Sequence, residues 1–218
     1  MSENKDLKSM RKSYAKAELA ESSAGNNPLA LFSIWFEETA NAGESEPNAM
    51  TLSTIGEDGY PNGRIVLLKA VVQGEFQFFT NYESKKGKEL LKNPKAALTF
   101  FWPELERQVR IQGTISKISK SESESYFKQR PRESQLGAHV SRQSTTIESR
   151  NELEIQFRNL EKEFKDKEIP IPEYWGGYNL YPISIEFWQG RVGRLHDRLI
   201  YTRDTKNETL WIRKRLSP

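Results

Sequence analysis

The chain has 218 residues, 36% hydrophobic and 29% charged, with a net charge of +3, a length that suits one domain with a modest core and a highly charged surface. It contains no Cys and two His, which excludes disulfides, thiolate metal sites, a cysteine nucleophile and a histidine-rich centre, so no metal is expected. No run approaches the roughly 18 apolar residues of a membrane span, and the polar N-terminus lacks the pattern of a signal peptide, so the expected compartment is the cytoplasm with no membrane partner.

Residues 1–27 read as a flexible arm ending in the linker-like run Ser22-Ser23-Ala24-Gly25-Asn26-Asn27. Lys5, Lys8, Arg11, Lys12 and Lys16 crowd this arm, but acidic residues nearly balance the basic ones overall, so no nucleic-acid partner is expected. A single domain is expected over 28–218. Asn27-Pro28 reads as an N-cap with Pro at the first helical position, followed by an apolar face of Leu29, Phe32, Trp35 and Phe36. Ala49–Ile55 is a strand, Glu57-Asp58-Gly59 a turn, Arg64–Val72 a second strand and Glu75–Thr80 a third. Ser84 opens a short basic helix that stops near Asn93-Pro94. Strands follow over 96–102 and 108–118. Helices follow over 121–130, from Pro131 to about His139, and over 147–164, the last with Leu153, Phe157, Leu160 and Phe164 on one face. Strands over 178–187, 194–203 and 210–213 complete the chain. Neighbouring strands with helices inserted between groups of them indicate an α+β protein built on an antiparallel barrel.

The segment after Phe187-Trp188-Gln189-Gly190 is the densest in chemistry. Read as a strand, it places Arg194, His196 and Arg198 on one face and Leu195, Asp197 and Leu199 on the other. Cations at this spacing repel unless something anionic or electron-rich lies over them. Arg64-Ile65-Val66-Leu67-Leu68-Lys69 carries a cation at each end, on opposite faces of a continuous strand, so two separate anionic groups or two solvent-reaching cations are equally open. Lys85 and Lys86 fall in the first turn after the N-cap Ser84, where they oppose the helix dipole at about 0.3–1 kcal/mol each unless an anion binds there. Tyr126 and Arg130 share a helix face, and Ser134 starts the next helix; they suit a phosphate, although a helix-junction hydrogen-bond network is the more common use of such residues. Gln108 and Gln143-Ser144 offer further polar groups or plain surface. GxGxxG after a strand, the P-loop and GxSxG are all missing.

Together, RIVLLK (64–69), SKKG (84–87), ERQV (106–109), YFKQRPRESQLGA (126–138), SRQS (141–144), EFWQG (186–190) and RLHDR (194–198) resemble the pyridoxamine 5'-phosphate oxidase family, from about Arg11 to Pro218. The resemblance implies an FMN-binding antiparallel split barrel with peripheral helices, acting as a homodimer with FMN at the subunit interface. It implies oxidation of pyridoxamine or pyridoxine 5'-phosphate to pyridoxal 5'-phosphate in vitamin B6 biosynthesis or salvage. Hydride would pass to flavin N5, and molecular oxygen would become hydrogen peroxide. It assigns FMN to Arg64, Ile65, Val66, Leu67, Leu68, Lys69, Phe79, Thr80, Lys85, Lys86, Gln108, Gln143, Ser144, Trp188 and Arg198. It assigns the substrate to Lys69, Tyr126, Arg130, Ser134, Arg194, Leu195 and His196, with Arg11-Lys12-Ser13-Tyr14 matching an arm that closes over it. Arg194 and His196 are the implied catalytic pair. Lys85 stands where Arg is usual, Phe79 where Tyr is common, and His139, where Trp is frequent, is read as packing or surface. Two other classes compete: a flavin reductase, which would not need Tyr126, Arg130 and Ser134, and a binding module without turnover.

Overall fold

The computed structural model describes residues 12–218, which divide into two compact units. One comprises the chain up to Pro47, Thr99–Ile111 and Ser184–Pro218; the other comprises Asn48–Leu98 and Gln112–Ile183. Nine strands form a sheet in the order β2-β1-β5-β6-β7-β4-β3, with β8 paired to β7 and β9 to β8. They are β1 (Ala49–Ile55), β2 (Pro61–Leu67), β3 (Ala70–Val72), β4 (Glu75–Asn81), β5 (Lys95–Trp102), β6 (Arg107–Lys117), β7 (Trp175–Gln189), β8 (Asp197–Arg203) and β9 (Trp211–Arg215). The pairs β1–β2, β3–β4, β4–β7, β7–β8 and β8–β9 are antiparallel. Among the described residues no helix is long and apolar enough to cross a membrane.

In the first unit, helix α1 (Glu21–Ala24) is a single turn, and α2 (Pro28–Asn41) begins where expected, the Asn27 side chain accepting from Leu29 N at 3.0 Å. Helix α2 buries Leu31, Phe32 and Trp35. Phe32 meets Phe100 at 5.3 Å, Trp35 meets Phe187 edge-on at 5.2 Å, and Phe187 meets Tyr201 at 5.8 Å. Edge-to-face rings add to the stabilisation from their area burial.

The second unit carries helices α3 (Lys85–Lys92), α4 (Lys120–Gln129), α5 (Arg132–Val140) and α6 (Arg150–Glu163). Helix α4 opens with a capping box, Ser119 with Glu122. Phe127, Leu136, Ile169 and Trp175 form its buried cluster, with Phe157, Leu160 and Phe164 of the α6 region packed against it. His139 belongs to this packing, as expected: its ring lies 6.1 Å from that of Phe164 and its Nε2 is 2.7 Å from Pro170 O.

The expected strand Arg64–Val72 is broken. Strand β2 ends at Leu67 and β3 starts at Ala70, because Leu68 N donates to Asn48 O while Lys69 N donates to Gln77 O. The chain thus changes pairing partner between these two residues. The expected strand over 194–203 begins only at Asp197. Val192–Arg194 is a single 3₁₀ turn, with Gly193 at φ 68° and Arg194 at φ 64°.

Helix α3 starts under a tight backbone crossing. A Cβ on Gly87 would lie 2.0 Å from the carbonyl oxygen of Tyr82, which is backbone and cannot swing away. Replacing a helical Gly by Ala ordinarily stabilises by about 0.5–1 kcal/mol. Overpacking against fixed atoms costs about 1–3 kcal/mol and should win here. Gly87→Ala is therefore expected to lower the urea midpoint of unfolding; an unchanged or higher midpoint would show that the Tyr82 turn yields freely.

Candidate functional site

The second unit contains a cleft of about 890 Å³. Two cationic groups line it. The first gathers at the start of α3. Ser84 caps the helix, its Oγ accepting from Gly87 N at 3.3 Å, which leaves Lys85 and Lys86 in the first turn as expected. Lys86 is 8% exposed, and its Nζ donates to Gln143 Oε1 at 2.7 Å and to Thr80 Oγ1 at 3.2 Å. Lys85 is exposed and reaches Asn62 Oδ1 at 3.2 Å. Arg64, from β2, donates to Leu52 O, Thr54 Oγ1 and Glu89 Oε2, the last at 3.2 Å.

Glu89 is the buried counter-charge of this group. It is 4% exposed, and besides Arg64 it accepts from Thr54 Oγ1 and from Asn62 Nδ2 at 2.9 Å. Burial pushes the Lys86 ammonium down to about 8, the nearby Arg64 charge pushes the same way, and Glu89 partly restores it.

The second group stands at the α4–α5 junction. Tyr126, Arg130 and Ser134 all line the cleft. The Tyr126 ring stacks on Phe79 at 4.0 Å, and Phe79 stacks on Trp175 at 5.4 Å. The Arg130 guanidinium lies 4.6 Å from the centre of the Trp175 ring, and its Nη1 is buried with no hydrogen-bond partner. A helix-junction network would have satisfied that nitrogen. An unsatisfied guanidinium N–H beside a cleft suits an anionic oxygen.

Ile65, Val66, Leu67, Lys69, Thr80, Gln143 and Ser144 also line this cleft, whereas Leu68 is buried in the core. Arg64 and Lys69 were expected on opposite faces of one strand. Both line the cleft, because the break after Leu67 cancels the alternation between them. Asn81, Gln129, Ser141 and Trp175 line it too and were not anticipated. Nor was Glu89, although its place four residues after Lys85 on a helix was a readable sign.

The remaining expected residues belong to the first unit. The Trp188 and His196 rings lie 4.7 Å apart, tilted by 43°, and Tyr14 meets both edge-on at 5.7 and 5.9 Å. His196 Nδ1 accepts from Arg191 N at 3.1 Å, which puts the ring proton of the neutral imidazole on Nε2. Arg198 pairs with buried Glu186 at 2.9 Å, and Arg110 approaches the same carboxylate at 3.7 Å. Gln108, on β6, is half-buried. The expected row of Arg194, His196 and Arg198 does not form: the left-handed backbone at Gly193 and Arg194 ends alternation before the strand starts. Arg194 and Leu195 are exposed, and only Arg198 lies on β8, opposite Trp188. Lys12 and Ser13 are exposed; Arg11 lies outside the described residues.

Residues 36–163 match the family described as pyridoxamine 5'-phosphate oxidase, and residues 175–218 match the pyridoxine 5'-phosphate oxidase C-terminal dimerisation region. The chain belongs to the pyridoxine/pyridoxamine 5'-phosphate oxidase family. It is 60% identical over 213 residues to the pyridoxine/pyridoxamine 5'-phosphate oxidase of Leptospira biflexa, covering 98% of this chain and 99% of that one. The enzyme of the same name from Burkholderia lata is 51% identical over 212 residues, covering 97% and 99%. Among solved structures, PhzG from Burkholderia lata, in complex with tetrahydrophenazine-1-carboxylic acid, superposes with a TM-score of 0.87 at 26% identity, covering 94% of this chain and all of that one. A pyridoxamine 5'-phosphate oxidase-related, FMN-binding protein from Nostoc punctiforme shares the fold, with a TM-score of 0.70 at 15% identity, over 89% of this chain and all of that one. The antiparallel barrel expected from the strand pattern, and the split barrel that the resemblance implies, is therefore the fold of this chain.

The depressed Lys86 amine gives the cleft a pH signature. An anion favours the ammonium form, so affinity for a phosphate should be greatest below pH 8 and decline as pH rises through it. Without a ligand the stability effect has its own sign. The folded state releases the Lys86 proton at about 8 and the unfolded chain near 10.5, so the cost of burying this charge is full below the first value and is relieved between the two. Calorimetric titration with inorganic phosphate from about pH 7 to about pH 9.5 should show the ratio of wild-type to Lys86→Met affinity shrinking toward one. A constant ratio would mean that Lys86 does not meet the anion.

Proposed function

We propose that the protein is an FMN-dependent oxidase that converts pyridoxamine and pyridoxine 5'-phosphate to pyridoxal 5'-phosphate. The observation that carries this reading is the pair of separate cationic groups lining one cleft, of which one ends in the partnerless Nη1 of Arg130. A phosphorylated cofactor and a phosphorylated substrate need two such groups.

The residues at the start of α3 fit the FMN phosphate. Lys85, Lys86 and Arg64 supply charge-assisted donors, and the capped helix start adds its dipole. Ile65–Leu67, Thr80, Gln143 and Ser144 line the remainder of the cleft, and Gln108, Trp188 and Arg198 join the cofactor set. When bound, FMN supplies the two-electron acceptor that takes hydride from the substrate and passes the electron pair to molecular oxygen, giving hydrogen peroxide.

Tyr126, Arg130, Ser134 and Lys69 hold the substrate phosphate. Arg130 enters this role already partly dehydrated, so an ion pair with phosphate replaces little water. Arg194, exposed and fixed in a left-handed turn, presents its cation to the ionised oxygen of the pyridine ring. His196 offers Nε2–H as a donor, its own ring held against Trp188 at 4.7 Å. The dimerisation match over 175–218 covers all of these C-terminal residues, and we place FMN at the interface of a homodimer. The ligand in the PhzG structure is a carboxylic acid rather than a phosphate ester. Tyr126, Arg130 and Ser134 around an unpaired guanidinium favour the phosphate ester here, and they equally count against a flavin reductase.

Purified protein should be yellow, and anaerobic mixing with pyridoxamine 5'-phosphate should bleach the flavin band, with pyridoxal 5'-phosphate as product. A protein that takes up FMN but is not reduced by either phosphorylated substrate would refute the oxidase reading and leave a binding module.

The two phosphates should separate by mutation. Lys86→Ala should weaken FMN binding, and Arg130→Ala should raise KM for the substrate at unchanged FMN affinity. Each should cost about 10- to 100-fold, the worth of a charge-assisted hydrogen bond. Equal loss of FMN in both variants would show that the division is wrong.

A further inference from the structure

Glu106 opens the ERQV segment just before β6 and is 2% exposed. Its carboxylate Oε2 accepts from two successive backbone N–H groups, Ala15 N at 2.8 Å and Lys16 N at 3.1 Å. Its own carbonyl oxygen accepts from Gly190 N at 2.8 Å and from Gln189 Nε2 at 3.3 Å. One residue thus grips both the N-terminal arm and the end of β7. The grip aims a particular side chain. Tyr14, next to Ala15, meets Trp188 and His196, and a Cβ on Gly190 would lie 2.7 Å from both Cβ and Cγ of Tyr14. Gly190 therefore leaves the slot that Tyr14 fills.

We propose that Glu106 is a positioning residue that holds Tyr14–Lys16 so that the Tyr14 ring closes over Trp188 and His196. Its value for turnover rests on the reading that these two residues serve the substrate. The chemistry suits a reversible hold. A carboxylate bonded to two backbone N–H groups is satisfied when the arm is down and is hydrated when the arm lifts, so neither state strands a buried charge. An apolar contact in its place would penalise the lifted state and slow exchange of substrate and product. The hold uses backbone groups of the arm, and Lys16 adds a side-chain bond from Nζ to Glu104 O.

The test uses the FMN-loaded enzyme and two readouts. Trypsin cleavage after Lys12 and Lys16 reports the arm directly. Glu106→Ala should cleave about tenfold faster, with Glu106→Gln, which keeps one acceptor oxygen, in between. Steady-state kinetics with pyridoxamine 5'-phosphate report the consequence. Glu106→Ala should raise KM about tenfold with a smaller change in kcat, and the same substitution should add nothing in a Tyr14→Ala background. Unchanged cleavage in Glu106→Ala, or a KM penalty that persists in full without Tyr14, overturns the proposal. Should Glu106→Ala fail to fold, Gly190→Ala fills the slot from the other side and should give the same faster cleavage and higher KM; wild-type values there overturn it equally. If the wild-type enzyme does not turn over pyridoxamine 5'-phosphate, the functional reading falls, and cleavage alone decides the role of Glu106.

Discussion

Burying Lys86 at the first turn of α3 is the constraint around which the second unit is arranged. An ammonium at that position opposes the helix dipole and has been moved out of water, and a neighbouring guanidinium raises the cost. Three features make it tolerable. Gln143 and Thr80 accept from Nζ, Ser84 satisfies a free N–H of the helix start, and Glu89 supplies a buried negative charge one turn on. Glu89 is committed to Arg64, Thr54 and Asn62, so it fixes the guanidinium more than it neutralises the lysines. The local charge stays positive, which is the state a bound phosphate needs. Removing Glu89 would leave the Arg64 and Lys86 cations without their buried counter-charge.

The same logic explains why aromatic residues surround Arg130. A guanidinium is weakly hydrated and stacks on ring faces, so Trp175 can hold it without consuming its N–H donors. A carboxylate partner would have occupied those donors. Phe79 and Tyr126 extend the stack, and the phenol of Tyr126 adds a polar tip to an apolar wall. The two cations are thus held differently, Arg64 by a direct ion pair with Glu89 at 3.2 Å and Arg130 by a ring.

Elements whose signals are local were legible in the sequence. Asn27-Pro28 announced α2, Ser84 announced α3, and Ala49–Ile55 is β1 to the residue. The errors fell where tertiary pairing overrides a local pattern. Arg64–Val72 reads as one apolar run, but hydrogen bonds from Leu68 and Lys69 to different partners divide it. Alternation then failed as a guide to which cations share a cleft, and it failed again at Arg194, which continues the left-handed backbone that Gly193 begins. The residues alone left Lys69 open between an anion and solvent and Gln143-Ser144 open between a polar site and surface; the resemblance assigned all three to a ligand, and all three line the cleft. Trp175 escaped both readings, since only the folded chain brings it to Phe79 and Arg130. Glu106 was in view within ERQV, but its burial and the partners of its carboxylate are tertiary facts.

Backbone strain points to the same places. Among the described residues, four non-glycine residues have positive φ: Gln73, Glu106, Ser144 and Arg194. Each left-handed position costs on the order of 1–3 kcal/mol and persists only where surroundings impose it. Gln73 is explained by topology. With Gly74 it forms the two-residue turn between β3 and β4, where both positions need positive φ. Glu106 closes the four-residue loop between β5 and β6, its N–H donating to Pro103 O, and Ser144 sits in a turn closed from Thr145 N to Arg142 O. Ser144 lines the cleft beside Gln143, Arg194 ends the turn before His196, and Glu106 directs its carboxylate to the arm. A relaxed backbone at these positions would point each side chain elsewhere. The turns that impose these conformations therefore also direct side chains that the geometry ties to the cleft, the histidine and the arm.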